Sequence, residues 1–99
     1  MSNSFTVYIF SADGTELYCS KQAKKVDLPT PQGRLTILSN HQPLLCPLEP
    51  GAILLDADSE NLKFMSREKG FALIRSDTKN SNEVTSLRIL LLDVTKTSV

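Results

Sequence analysis

The feature that most constrains this chain is its punctuation: short apolar runs rich in β-branched and aromatic residues, broken by turn formers about every eight to twelve positions. Phe5, Val7 and Ile9 share one face of a period-two pattern that Ser11-Ala-Asp-Gly14 ends. Leu17–Cys19 and Ala23–Leu28 read as two further short strands, the second closed by Pro29. Leu35–Leu38 and Leu44–Cys46 flank a loop from Ser39 to Pro43, and Pro50-Gly51 supplies a tight turn before Ala52–Leu55. Leu62–Met65 and Gly70–Ile74, on either side of Ser66–Lys69, outline a hairpin with a slightly long turn; Lys79–Asn82 is the next loop.

Glu83–Leu92 is ambiguous, because its leucines also suit a helix and its apolar run is continuous. Val84 and Thr85, with strands on every side, favour a strand. No amphipathic helix of three turns and no internal repeat is visible, so the pattern predicts an all-β sandwich or barrel. At 99 residues the chain has room for one such domain, spanning 1–99 with an ordered core over about 4–95 and a polar tail over 95–99.

Eleven basic residues against eleven acidic ones give no net charge and no basic stripe, which excludes a phosphate-backbone binder and so a nucleic-acid partner. The longest apolar run, Ile89–Leu92, is far short of the roughly 20 residues a membrane helix needs, and Met1–Phe5 shows no secretory signal. The expectation is a protein that stays where it is made.

Chemistry-bearing residues are sparse. His41 has no second histidine and only Cys46 nearby, too few ligands for structural zinc, so no metal is expected. A Cys46 nucleophile with His41 as base lacks a third orienting group, and Pro43 and Pro47 stiffen the backbone around both. Cys19 and Cys46 read as half-buried small hydrophobes, although spacing alone leaves a disulfide open. Asp56, Asp58 and Glu60 alternate as in a calcium loop, but Asn61 and Arg67 stand where the glycine and the closing glutamate belong. The four glycines are isolated, so nothing cradles a phosphate and no cofactor is expected. These absences favour a binding or assembly role over an enzymatic one.

The pattern Gly33-x-Leu35-x-Ile37, then Asn40-His41-x-Pro43-Leu44-Leu45 and Pro50-Gly51, resembles the central signature of the N-terminal domain of the rotary ATP synthase epsilon subunit. Phe5–Ser11, Lys25–Leu28, Phe64–Ser66 with Gly70-Phe71, and Asn82–Asp93 resemble other segments of that domain, so the likeness covers residues 4 to 95. Three positions depart from it: Arg34 replaces an acidic residue, Thr36 a glycine, and Ser39-Asn40 a Pro-Gly pair. Asn40 tolerates the left-handed backbone a glycine would supply, whereas Thr36 marks a divergent member.

The resemblance implies a flattened ten-stranded β-sandwich at the foot of the central stalk, a non-catalytic rotor part between the gamma subunit and the ring of c-subunits. Its place would be the cytoplasmic face of a bacterial inner membrane, reached only through the complex. Position by position, Ser11, His41, Leu44 and Leu45 match the gamma-facing side, and Gln32, Gly33 and Arg34 the tip that approaches the c-ring. Asn40, Pro43, Pro50 and Gly51 would shape the loops. Alternate residues of a strand face opposite sides, so Leu44 or Leu45 could equally belong to the core. Family members commonly carry a C-terminal helical hairpin that inhibits hydrolysis, and this sequence ends at Val99 without one. The resemblance then implies coupling without inhibition. The alternative reading is a stand-alone β-sandwich module that binds a protein or ligand.

Overall fold

The computed structural model describes residues 4–39, 42–57, 60–79, 82–91 and 94–98. Among them are nine strands and no helix: β1 (Phe5–Ser11), β2 (Glu16–Thr30), β3 (Gly33–Leu38), β4 (Leu44–Leu48), β5 (Gly51–Ala57), β6 (Glu60–Ser66), β7 (Gly70–Lys79), β8 (Asn82–Leu91) and β9 (Val94–Ser98). The expected all-β sandwich forms, with nine strands among the described residues against the ten the resemblance implied.

One long strand makes the two layers. The first part of β2 pairs with β1, from Phe10 opposite Glu16 to Phe5 opposite Ala23; the second part pairs with β3 on that edge and with β5 on the other. Register shifts lie between Phe5 and Val7 and between Ala23 and Lys25. Such bulges increase local twist and bend a strand, here carrying β2 from one layer into the next. The first layer runs β4-β7-β8-β1 into β2, and the second continues through β5, β6 and β9, with β3 beside β2. β8 lies parallel to β1 while its other neighbour, β7, is antiparallel.

The inner faces share one core. Val7, Ile9, Ile74, Leu87 and Ile89 of the first layer meet Val26, Leu28, Ile53, Leu55 and Phe64 of the second, all at most 2% exposed. Each such side chain contributes roughly 1.5–3 kcal/mol of burial. The Tyr18 ring closes one end against Phe64 at 5.4 Å between centroids. In β8, Leu87, Ile89 and Leu91 point inward while Arg88 and Leu90 point outward, so the ambiguous segment is the strand that Val84 and Thr85 favoured.

Four details differ from the sequence expectation. Leu17–Cys19 and Ala23–Leu28 belong to one strand, which continues through Pro29. Pro29 tolerates this position because pairing with β5 has ended at Asp27; its carbonyl accepts the Glu49 N–H at 2.9 Å. The Ser66–Lys69 link is not a hairpin turn, since β6 pairs with β5 and β9 whereas β7 pairs with β4 and β8. The link instead crosses between layers, with the Ser66 hydroxyl donating to the Glu68 carbonyl at 2.6 Å. Residues 94–98, read as leading into a polar tail, form β9 against β6. Cys19 is exposed rather than half-buried, and it and the buried Cys46 are both free thiols.

Candidate functional site

The two outer faces of the sandwich differ in chemistry. On the second layer, one cross-strand row reads Thr36, Asp27, Leu54, Lys63 and the next Leu38, Lys25, Asp56, Asn61. Charges of both signs alternate there with single apolar side chains, as on an ordinary solvated surface.

On the first layer, one row reads Leu45, Leu73, Arg88, Tyr8 and the next Pro47, Phe71, Leu90, Phe10. Leu45 is 66% exposed and Phe71 55%, and Leu73 and Leu90 are exposed on the same side. The Tyr8 and Phe10 rings stack at 6.1 Å and 16°, and the Arg88 guanidinium carbon lies 5.3 Å from the Tyr8 centroid. Beside Leu45, an open hollow of about 460 Å³ is lined by Pro43, Leu44, Leu73, Arg75 and Ser76 among others. A contiguous apolar face of this kind marks an interaction surface.

Sequence reasoning found one corner of this face, Leu45, and missed Tyr8, Phe10, Phe71, Leu73 and Leu90. The signal was failed alternation. A strand with one wet face alternates, whereas Leu44-Leu45 and Ile89-Leu90-Leu91 do not, because both their faces are apolar.

The expected site residues separate into several places. Leu44 and Leu45 are both exposed, so neither is core. Ser11 does not join them: its row runs through Leu91 and Gly70 to Leu48, while that of Leu44 runs through Ile74 and Leu87 to Val7. The Ser11 hydroxyl instead donates to the Asp13 carboxylate inside the β1–β2 turn, where the Thr15 N–H also donates to Asp13 at 3.0 Å. These donors, Ser11 foremost, hold the Asp13 pKa at about 2 against an ordinary 3.8. Asn40 and His41 lie outside the described residues, and Pro43 is exposed at the entry to β4.

Gln32, Gly33 and Arg34 do lie together, at the tip of the β2–β3 hairpin. Gly33 has φ +115°, which a side chain would strain, and its carbonyl accepts the Thr30 hydroxyl at 2.7 Å. Arg34 turns back on its own chain: Nε donates to Asp27 Oδ1 at 3.1 Å and Nη2 to the Asp27 carbonyl at 3.2 Å. Thr36 stands opposite Asp27 in a regular ladder, where a β-branched residue fits. Pro50 and Gly51 turn the chain from β4 into β5, and Gly51, at φ +152°, lies against Pro29: a Cβ there would touch the proline ring at 3.4 Å.

Among the described residues no three His, Cys, Asp or Glu side chains gather to hold a metal ion. Burial pushes the Cys46 thiol pKa up, which opposes the thiolate a nucleophile needs.

Fold and surface together define a β-sandwich whose distinctive features are an apolar outer face and a projecting hairpin tip. Residues 4–80 match the family described as ATP synthase, Delta/Epsilon chain, beta-sandwich domain, and the chain belongs to that family. It is 35% identical over 71 residues to the plastid ATP synthase epsilon chain of Prototheca wickerhamii, covering 72% of this chain and 51% of the relative. The mitochondrial ATP synthase subunit delta of Eremothecium gossypii is 33% identical over 84 residues, 85% of this chain and 51% of that one. The ATP synthase epsilon chain of Dichelobacter nodosus is 34% identical over 76 residues, 77% and 52% of the two chains. This chain thus spans about half the length of the curated relatives it matches.

Solved structures share the fold. A chain in the central stalk and c-ring of the Tetrahymena thermophila mitochondrial ATP synthase superposes with a TM-score of 0.69 at 15% identity, over 95% of this chain and 67% of that one. One from the Euglena gracilis mitochondrial enzyme gives 0.75 at 12% identity, over 97% and 54%.

Proposed function

We propose that this chain is a non-catalytic central-stalk subunit of an ATP synthase, linking the gamma subunit to the c-ring so that ion translocation is coupled to ATP synthesis. The observation that carries the reading is the contrast between the outer faces: Leu45, Leu73, Phe71 and Leu90 form a contiguous apolar surface on one, while Asp27, Lys25, Asp56 and Lys63 hold the other in water. Family membership supports the stalk assignment, and the relatives' plastid, mitochondrial and bacterial names leave the location as whichever membrane carries the synthase.

In this reading the gamma subunit covers the apolar face from the Leu45 margin, with Leu44 at its border, and His41 takes part in the same contact. The hairpin tip meets the ring through Gln32 and Gly33, since Arg34 is engaged by Asp27. A rotor part that transmits torque must be stiff, and prolines around the loops lower the entropy lost on docking.

The test is calorimetric titration with the cognate gamma subunit, using this chain and a His41→Ala, Leu45→Asp double variant. Binding that the variant loses is the expected result. A well-folded chain that does not bind gamma would contradict the reading and leave a β-sandwich module of another use.

A further inference from the structure

Arg88 occupies the middle of the apolar face. Leu73 and Tyr8 flank it in its own row, and Ser86 and Leu90 precede and follow it on the same side of β8. The four diagonal neighbours are Phe71 and Phe10 toward one end, Arg75 and Thr6 toward the other. None of the eight is a carboxylate, and one is a second cation.

The Tyr8 ring satisfies the guanidinium's charge in part, through its π-face at 5.3 Å, but an aromatic face accepts few of the five N–H donors. In the free chain Arg88 is exposed and water can serve them. A partner that covers this face expels that water, and a buried guanidinium without an anion is strongly destabilising. Arg88 is therefore left in a defined state: none of its eight neighbours on this face supplies a carboxylate.

We propose that the partner docking on this face presents an aspartate or glutamate side chain within an otherwise apolar patch, positioned to pair with Arg88. The proposal rests on the stalk reading, with the gamma subunit as the occupant, and adds the chemistry by which that occupant is selected. The same charge argues against a second copy of this chain. A twofold pairing of two such faces would bring the Arg88 of each copy against a face whose central arginine has no carboxylate among its eight neighbours, a like-charge penalty. Arg88 thus confers specificity, while Phe71, Leu45 and Leu90 supply the apolar contact.

The test titrates the cognate gamma subunit into the wild-type chain and into Arg88→Met, Arg88→Lys and Arg88→Glu, each at low and high salt. Arg88→Met is expected to weaken binding by roughly thirtyfold or more and to flatten its salt dependence, as truncation of one half of a buried charge pair does. Arg88→Lys keeps the charge without the fork and should fall between. Arg88→Glu should bind least, and gamma variants selected to restore its binding should carry an acid-to-base change. If wild type binds gamma and Arg88→Met binds as tightly with an unchanged salt dependence, the carboxylate proposal is wrong and the stalk reading stands. If wild type does not bind gamma at all, both fall.

Discussion

Arg34 reaches diagonally across the β2–β3 ladder to Asp27, from its own position opposite Pro29 to the residue paired with Thr36. The contact stiffens a hairpin tip that extends past the end of β5 pairing at Asp27. Arg34 is 43% exposed, so solvent screens most of the Coulomb term. A double-mutant cycle of Arg34→Ala and Asp27→Ala, followed by chemical denaturation, should give a coupling of about 0.2–1 kcal/mol. Arg34→Lys should keep only part of it, because one ammonium cannot bond the carboxylate and the carbonyl as the planar fork does.

The Asp13 carboxyl offers a pH signature. Its folded pKa, about 2, lies below the ordinary 3.8, so the turn's contribution is complete above about pH 4 and is lost as pH falls through 2. Carbon-detected NMR titration should show Asp13 titrating near 2 in the wild type. In Ser11→Ala, which removes the largest cause, the midpoint should move up toward 3.8.

Two phenylalanines should respond in opposite ways. Phe64 is 1% exposed in the shared core, and Phe64→Ala should cost about 3–5 kcal/mol in denaturant unfolding. Phe71, on the apolar outer face, should tolerate Phe71→Ser within about 0.5 kcal/mol of stability, while binding of the stalk partner drops sharply.

Gly70 is required for close approach rather than for an unusual φ. A Cβ there would fall inside the contact distance of the Leu90 carbonyl oxygen on β8, which is backbone and cannot move aside cheaply. Gly70→Ala should therefore destabilise by about 1–3 kcal/mol, read as a shift in the unfolding midpoint at constant slope.

What the sequence made legible follows from range. Phe5, Val7 and Ile9 announce β1 through local alternation, and the apolar run after Arg88 could be placed as a strand from its neighbours. Pro29 hid the continuity of β2, because a proline ends a strand unless its missing N–H falls where no partner needs it. Ser66–Lys69 was misleading because sequence adjacency does not say which layer receives the next strand. The apolar face was least visible of all: Leu45, Phe71, Leu90 and Phe10 come from four strands, and only the β4-β7-β8-β1 order puts them side by side. Arg34 kept its expected place at the tip, but its engagement with Asp27 depends on a diagonal that single-strand reading does not reveal.

The most direct measurement of the central claim is thiol labelling on the two outer faces, with and without the cognate gamma subunit. In a Cys19→Ser background the remaining native thiol, Cys46, is buried with a raised pKa and should react slowly, so Ser86→Cys, a near-isosteric change beside Arg88 on the apolar face, and Asn61→Cys can each be followed singly. Gamma is predicted to protect the thiol at 86 strongly and to leave the one at 61 as reactive as in the free chain. Protection at 61 with continued reactivity at 86 would mean that the charged face meets the stalk, and would contradict the claim.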